Sequence, residues 1–297
     1  MSNAISPITR MFAAPYLTVQ EYKDAPTAID INNLVVGALD PAAQDAELAN
    51  NIARASAWID TYCNQVLAAT IEVEQQRVRF KPNGFIAIHP NNAPVVALTS
   101  LSYGTDPNNM TAVDDCSYAW MENQQILFPS GQMSNTMSSA GPLSFGFPSY
   151  PGAEVFVRYT YVNGYANALV VTANAGDTQL VVDDATGFTA GLTLRIYDGM
   201  STENVTVDAS YVFGSTTVPL VAALNYDHAQ GVSISALPPS VKQAAILVTT
   251  AFLKVRGDTG MVMAVTNQPS QAVPGSSNIG QDIAMAQELL KPLRRIR

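Results

Sequence analysis

The chain has 297 residues, of which 47% are hydrophobic and only 13% charged, and it carries a formal net charge of −9. That is enough apolar residue to bury a substantial core, as one large domain or two smaller ones. Charge is far below the roughly 25% of ordinary soluble domains, so the surface is expected either to meet other protein or to be a Ser/Thr/Asn coat on a β-rich fold, and net acidity gives the chain as a whole, its basic tail excepted, no general affinity for phosphate backbones by counterion release.

The charge is unevenly spread. Residues 166–236 hold one basic residue against seven acidic, whereas residues 237–297 hold seven basic against three acidic. The opening "MSNAISPITRMFAAPYLTV" has no basic stretch followed by an apolar one, so it does not read as a secretory signal. No apolar run reaches the ~18 residues a membrane span needs. Synthesis in the cytoplasm is therefore expected, with Cys63 and Cys116 free rather than paired.

Residues 1–40 read as an N-terminal arm with short helices. Thr18 and Glu21 have capping-box spacing, and Pro26 ends that piece. Asp40-Pro41 then opens a long helix over 41–65, with Leu48, Ile52, Ala55, Ile59 and Tyr62 as one stripe of 3.6-residue period. From Val66 the period becomes 2, giving strands in "IEVEQQRVRFK", "GFIAIHP", "VVALTSLSYG", "YAWMENQQILFP" and "AEVFVRYTYVNGY". The Ser/Gly/Pro/Met-rich run 130–153 reads as a long mobile loop. Residues 166–236 read as an inserted all-β module, a small barrel or sandwich of short strands with turns at Ala175-Gly176, Thr186-Gly187, Asp198-Gly199 and Gly214-Ser215. A helix returns over 238–256, between Pro238-Pro239 and Gly257. It is followed by a linker "NQPSQAVPGSSN", within 237–275 and just beyond, and by a last helical segment within 276–297, near 280–296, which Pro292 should kink. The expected class is α+β. A bundle of the long helices near 41–65, 238–256 and 280–296 carries a projecting antiparallel β region over 66–165, the core being 41–165 with 237–275, and a separate β-barrel or sandwich insertion.

Catalytic patterns are sparse. His89 and His228 have no second His or Cys at ligand spacing, so each reads as a surface or turn histidine rather than a zinc ligand. Cys63 lacks a neighbouring base and reads as a small buried hydrophobe. Asp114-Asp115 and Asp183-Asp184 are adjacent pairs, whose side chains point to opposite faces of a strand. Asp183-Asp184 with Asp177 or Asp198 lacks the spacing of a calcium loop, and "GDTGMVMAV" lacks the lysine of a phosphate loop. No cofactor, metal site or catalytic residue is expected. Trp58 flanks the stripe and belongs either to the core or to a subunit interface, with Ile59, Tyr62 and Phe252 as companions. Phe156, Tyr159, Tyr161 and Tyr165 read as sheet packing before base stacking. In the tail "KPLRRIR", Lys291, Arg294, Arg295 and Arg297 either complement a helix dipole and aid solubility or dock on an acidic partner, with nucleic acid the weakest of the three.

The early "LTVQEYK", the helix "AELANNIARASAWIDTYCNQ", the strands around "NNAPVVALTSLSYG" and the late "LPPSVKQAAILVTTAFLKVRG" together resemble, in this order, the head–tail connector (adaptor or head-completion) proteins of tailed bacteriophages. The segment "DTQLVVDDATGFTAGLTLRIYDGMSTENVTV" is similar to a small β module of other phage structural proteins, and as an insert it departs from short family members. The resemblance implies a structural virion protein, not an enzyme, made in the host cytoplasm and located in the neck between capsid and tail. It implies a dodecameric ring under the portal protein, a tail-side neck protein below, and a lumen through which DNA passes without specific binding, with no membrane involved. Portal docking then falls to Lys291, Leu293, Arg294, Arg295 and Arg297, and the inserted module sits as a satellite on the outer or tail side. The competing readings are a stopper or tail terminator, a surface- or carbohydrate-binding module at 166–236, and an enzyme.

Overall fold

The structure, a computed structural model, describes residues 15–27, 29–32, 34–35, 40–81, 84–122, 124–129, 154–256 and 279–295. The start of the expected arm, the expected mobile loop over 130–153, the linker and Arg297 lie outside the described residues. The chain divides into two compact units, one containing Ala69–Gly164 and the other Ala13–Ala68 with Tyr165–Arg297.

The first unit is all β. Seven strands are described: β1 (Thr70–Arg79), β2 (Phe85–Ile88), β3 (Val95–Asp106), β4 (Asn109–Ala112), β5 (Trp120–Glu122), β6 (Gln125–Pro129) and β7 (Glu154–Asn163). They pair antiparallel in two sheets, β1-β7-β3-β4 and β2-β6-β5. Alternation sends Val78, Leu101, Tyr103, Val155, Val157, Tyr159 and Tyr161 into a shared core with Ile86, Ile88, Ile126 and Phe128. Within it Glu74 accepts hydrogen bonds from the hydroxyls of Tyr159 (2.7 Å) and Tyr161 (2.6 Å), and from the backbone and side chain of Asn91. Burial, and then the Glu74 carboxylate, push both phenols well above their usual range. The run 118–129, expected as one strand, is a hairpin that reverses at Gln124, whose φ of 62° lies in the left-handed region. β4 was not anticipated; it follows the turn at Asp106–Asn109.

The second unit joins helices to a curled sheet. Its helices are α1 (Val19–Asp24), α2 (Pro41–Cys63), α3 (Pro239–Arg256) and α4 (Ile279–Leu290). Thr18 and Glu21 form the reciprocal capping box of α1, Asp40 caps α2 with Pro41 at its first position, and Asn64 ends α2 in the left-handed conformation. Leu48, Ile52, Ala55, Ile59 and Cys63 of α2 share one core with Val241, Ala244, Ala245 and Val248 of α3, and with Ala286 and Leu290 of α4. Strands β8 (Asn167–Thr172), β9 (Gln179–Val182), β10 (Thr193–Tyr197), β11 (Glu203–Thr206), β12 (Thr217–Pro219) and β13 (Ser233–Ser235) form a sheet of order β11-β10-β13-β8-β9-β12. The sheet curls until its two edges meet. Val207, after β11, bridges Leu220, after β12, through hydrogen bonds from Asp208 N to Pro219 O (2.9 Å) and from Val221 N to Thr206 O (3.0 Å). Phe188, Leu194, Ile196, Val205, Val218 and Ile234 fill its interior.

The expected class is therefore corrected. The protein is mostly β, with thirteen strands against four α-helices among the described residues, and no long-helix bundle forms its frame. Helical periodicity marked the helices but exaggerated their share. α4 has 12 residues and ends at Leu290, before a 3₁₀ turn over Lys291–Leu293 that contains Pro292, rather than running to 296. The helices fall in the same compact unit as the curled sheet, and that curled sheet stands where a separate barrel or sandwich was expected.

One buried ion pair ties this unit together. The Lys242 ammonium of α3 donates to Glu21 Oε1 (2.7 Å) and to Ser233 Oγ of β13 (3.1 Å), and it lies 4.4 Å from the ring centre of Tyr197 in β10. The Lys242 and Glu21 side chains are 6% and 8% exposed, so neither charge has water to fall back on. Burial pulls Lys242 below its ordinary range, opposed by Glu21. Lys242→Ala should cost about 3–5 kcal/mol, because it leaves a buried, unpaired carboxylate. Lys242→Met combined with Glu21→Gln keeps the capping box and should recover most of that loss. Urea midpoints of the three proteins check this, and a single variant as stable as the wild type would refute it.

Candidate functional site: the C-terminal basic segment and its seat

The C-terminal end of α2 presents a row of groups with unfilled hydrogen-bonding capacity, since the last carbonyls of a helix lack intrahelical partners. The chain after α4 comes back to donate to one of these carbonyls, while side chains at the end of α2 donate to carbonyls of α4 and of the segment after it. Arg295 N donates to Cys63 O (2.9 Å), Gln65 Nε2 to Leu293 O (2.9 Å), Asn64 Nδ2 to Arg295 O (3.4 Å) and the Tyr62 hydroxyl to Gln287 O (3.2 Å). Arg294 lies 5.4 Å from the centre of the Tyr62 ring, whose other neighbour is Trp58, parallel at 5.5 Å and 6°. The order Trp58, Tyr62, Arg294 is thus a short stack of two aromatic rings and a guanidinium. Cations at this place also complement the negative end of the α2 dipole.

The residues singled out by sequence fall into two groups. Lys291 and Arg294 are exposed, and Leu293 and Arg295 half-buried, on the segment seated against α2. Ile59 is fully buried in the helical core, while Trp58, Tyr62 and Phe252 pack against it half-exposed. Gln65, just past the end of α2, is buried and holds the segment's backbone. Asn51, which is not part of the apolar stripe, is buried and returns its amide to Glu47 O (2.8 Å).

Cys63 sits under the seat. Burial first, and then Asp60, push its thiol from its usual value near 9 up to about 12, with Arg294 pulling the other way. A thiol so placed stays protonated and inert. Asp60 itself accepts a short hydrogen bond from the Tyr16 hydroxyl, which accepts in turn from Leu67 N (2.9 Å) and has its own proton held by burial and by Asp60.

The acidic residues of 166–236 do not form a site. Asp183 accepts from Leu169 N (2.6 Å), Asp177 from Asn174 N (2.9 Å), Asp184 from Thr186 N (2.9 Å), Asp208 from Ser210 N (2.8 Å) and Asp227 from Ala175 N (2.8 Å). The remaining two, Asp198 and Glu203, flank His228 at 3.0 Å and 2.9 Å. His228, expected at the surface or in a turn, has a fully buried side chain and bridges β10 to β11. Burial opposes ionisation of Glu203, but His228 and the Asn225 amides outweigh it and hold the carboxyl below its usual range.

No protein-family model matches the chain, and no curated protein matches it. A chain of the solved structure described as "Neck of empty GTA particle computed with C6 symmetry" overlays 97% of this chain and 95% of its own length, at 15% identity and a TM-score of 0.39. An overlay that loose carries no argument about function.

The Cys63 shift has a definite sign. The folded state holds the thiol proton that the unfolded state releases near pH 9, so this group's contribution is complete below pH 9 and is lost as pH rises toward about 12. Denaturant unfolding of wild type and Cys63→Ala across alkaline pH should therefore show the wild type losing ground by about 1.4 kcal/mol per pH unit relative to the variant. A constant difference across that range would mean that the thiol is not shielded.

Proposed function

We propose that the protein is a structural component of a phage-type neck, a head–tail adaptor that forms a ring under a portal and continues the DNA channel. The observation that carries the reading is the seated basic segment. Lys291 and Arg294 stand exposed on a backbone already fixed to the end of α2, as a segment that docks on an acidic protein surface requires. The order of motifs that resembles the adaptor family supports it, as do the low overall charge and the absence of any nucleophile–base arrangement in the sequence. In this reading Lys291, Leu293, Arg294, Arg295 and Arg297 meet the portal. Trp58, Tyr62 and Phe252, half-exposed on one helical core, face a neighbouring subunit, and a stopper or tail terminator binds on the tail side. The curled sheet of 166–236 is an outer or tail-side element.

α4 contributes Ala286 and Leu290 to the core, so removing the whole C-terminal segment would confuse docking with folding. The test is instead Lys291→Glu with Arg294→Glu, two exposed positions. The double variant should still fold, with a somewhat lowered melting temperature because Arg294→Glu gives up the stack on Tyr62 and reverses a charge at the end of α2, yet fail to co-sediment with portal-bearing capsids, whereas the wild type co-sediments and shows closed rings in negative-stain images. Normal joining by a folded double variant would refute the docking role.

A further inference from the structure

All four basic residues of Ala69–Gly164 gather on one face. Arg77 and Arg79 recur at alternate positions of β1, and Lys81 continues the alternation just past its end, so the three project the same way about 7 Å apart. The register pairs Gln75 with Arg158, Arg77 with Phe156 and Arg79 with Glu154, which puts Arg158 and Phe156 of β7 on that same face. Arg77 and Arg79 are 62% and 74% exposed, and Arg158 and Lys81 are also exposed.

The only acid of β1 and β7 on this face is Glu154, since Glu72 and Glu74 have the opposite parity and turn inward. Glu154 serves two arginines, pairing with Arg77 and accepting from Arg79 Nε at 2.8 Å, and Arg79 holds its carboxyl below the usual range. Asp106, at the end of β3 next to the Pro107 carbonyl that Arg158 reaches, is the further acid near this face, and two carboxylates do not neutralise four cations. Arg158 is positioned by neutral acceptors, Gln75 Oε1 (3.0 Å) and Pro107 O (3.5 Å), so its charge is fixed in place without being cancelled. The neighbouring β3 positions opposite Arg158 and Phe156 are Ser102 and Gly104, too small to screen the guanidinium groups. Phe156 lies among them with Arg77 5.7 Å from its ring centre.

We propose that this face binds a nucleic-acid phosphate backbone, without sequence specificity. Guanidinium groups fork onto phosphate oxygens, and an aromatic among them is the usual companion of such a surface. The net charge of −9 does not prevent it. At about 0.1 M salt the Debye length is about 10 Å, so a backbone in contact with this face meets mainly the local cations. The inference is independent of the neck reading and would hold for a protein that never meets a portal.

Fluorescence anisotropy of the full chain with a labelled DNA duplex of about 30 base pairs should show saturable binding at about 25 mM salt, with a log–log salt slope of about −3 for three to four neutralised phosphates. Arg158→Gln should reduce the slope by about 1. Glu154→Gln, which frees two arginines, should tighten binding about fivefold, a gain that a misfolded protein cannot give. No binding at low salt would overturn the proposal, as would unchanged curves for both variants. Displacement of the duplex by polyglutamate at equal charge would also overturn it, because it would assign the face to an acidic protein partner.

Discussion

A single ammonium group, that of Lys242, stands in contact with three separate parts of the chain: Glu21 beside α1, Ser233 in β13 and Tyr197 in β10. A buried cation is tolerable only if every one of its donors is satisfied, because the desolvation cost otherwise exceeds the Coulombic gain. That demand fixes where α1 lies against α3, and where both lie against the curled sheet. Glu21 is doubly committed, since its other oxygen accepts Thr18 N at 2.6 Å in the capping box. The start of a six-residue helix, too short to be stable alone, is thereby locked to the core of the unit. Tyr22 adds a hydroxyl contact with Thr250 of α3 (3.0 Å), and Tyr16 ties the preceding residues to α2 through Ser56 and Asp60. The N-terminal residues are the clasp that holds the late helices and the sheet around one point.

The acidity of 166–236 has a similarly local origin. Six strands of three to six residues need many tight reversals, and Asp is the residue whose carboxylate satisfies a turn's own N–H groups. Asp177, Asp184 and Asp208 do this, Asp183 and Asp227 accept backbone N–H groups from other parts of the sheet, and the last two acids hold His228, so the negative charge records local backbone satisfaction rather than a ligand site. Glycines serve the same reversals: Gly176 and Gly187 adopt φ of 89° and 86°, which side chains with a Cβ rarely reach.

What was legible in the sequence was mainly local. The capping box at Thr18 and Glu21, the Asp40-Pro41 start and the α2 stripe each rest on contacts within a few residues, and each stands in the structure. The hairpin within 118–129 was hidden because its reversal at Gln124 uses a residue that rarely signals a turn. The balance between helix and sheet was misjudged for a different reason. A 3.6-residue stripe announces a helix strongly, whereas six strands of three to six residues announce a sheet weakly, although their long-range pairing determines the architecture. The candidate site was half visible. The basic residues of the tail were evident, but Gln65, the αL cap at Asn64 and the Cys63 carbonyl that receive its backbone lie some 230 residues away in sequence, and nothing local marks them. Lys242 escaped notice and His228 was taken for a surface or turn residue for the same reason, since a buried cation or imidazole looks like any other until its partners are known.

The two basic loci of this acidic chain differ in how their cations are held, and the difference bears on what each can do. On the face of β1 and β7 the guanidinium groups rest on a rigid antiparallel pair, so their spacing is set by the strand repeat and suits a partner with regularly spaced charge. In the C-terminal segment it is the backbone that is fixed, by three hydrogen bonds around the end of α2, while Lys291 and Arg294 remain exposed. Ordering a flexible tail on binding would cost roughly 1–2 kcal/mol per residue in backbone entropy. A segment already seated has met that cost in folding, so more of the energy of each charge contact can appear as affinity. The same seat limits its reach, because a partner must come to the end of α2 unless the segment lets go of Cys63, Asn64 and Gln65. In the proposed neck role, therefore, the C-terminal segment acts as a preformed docking surface and not as a free arm.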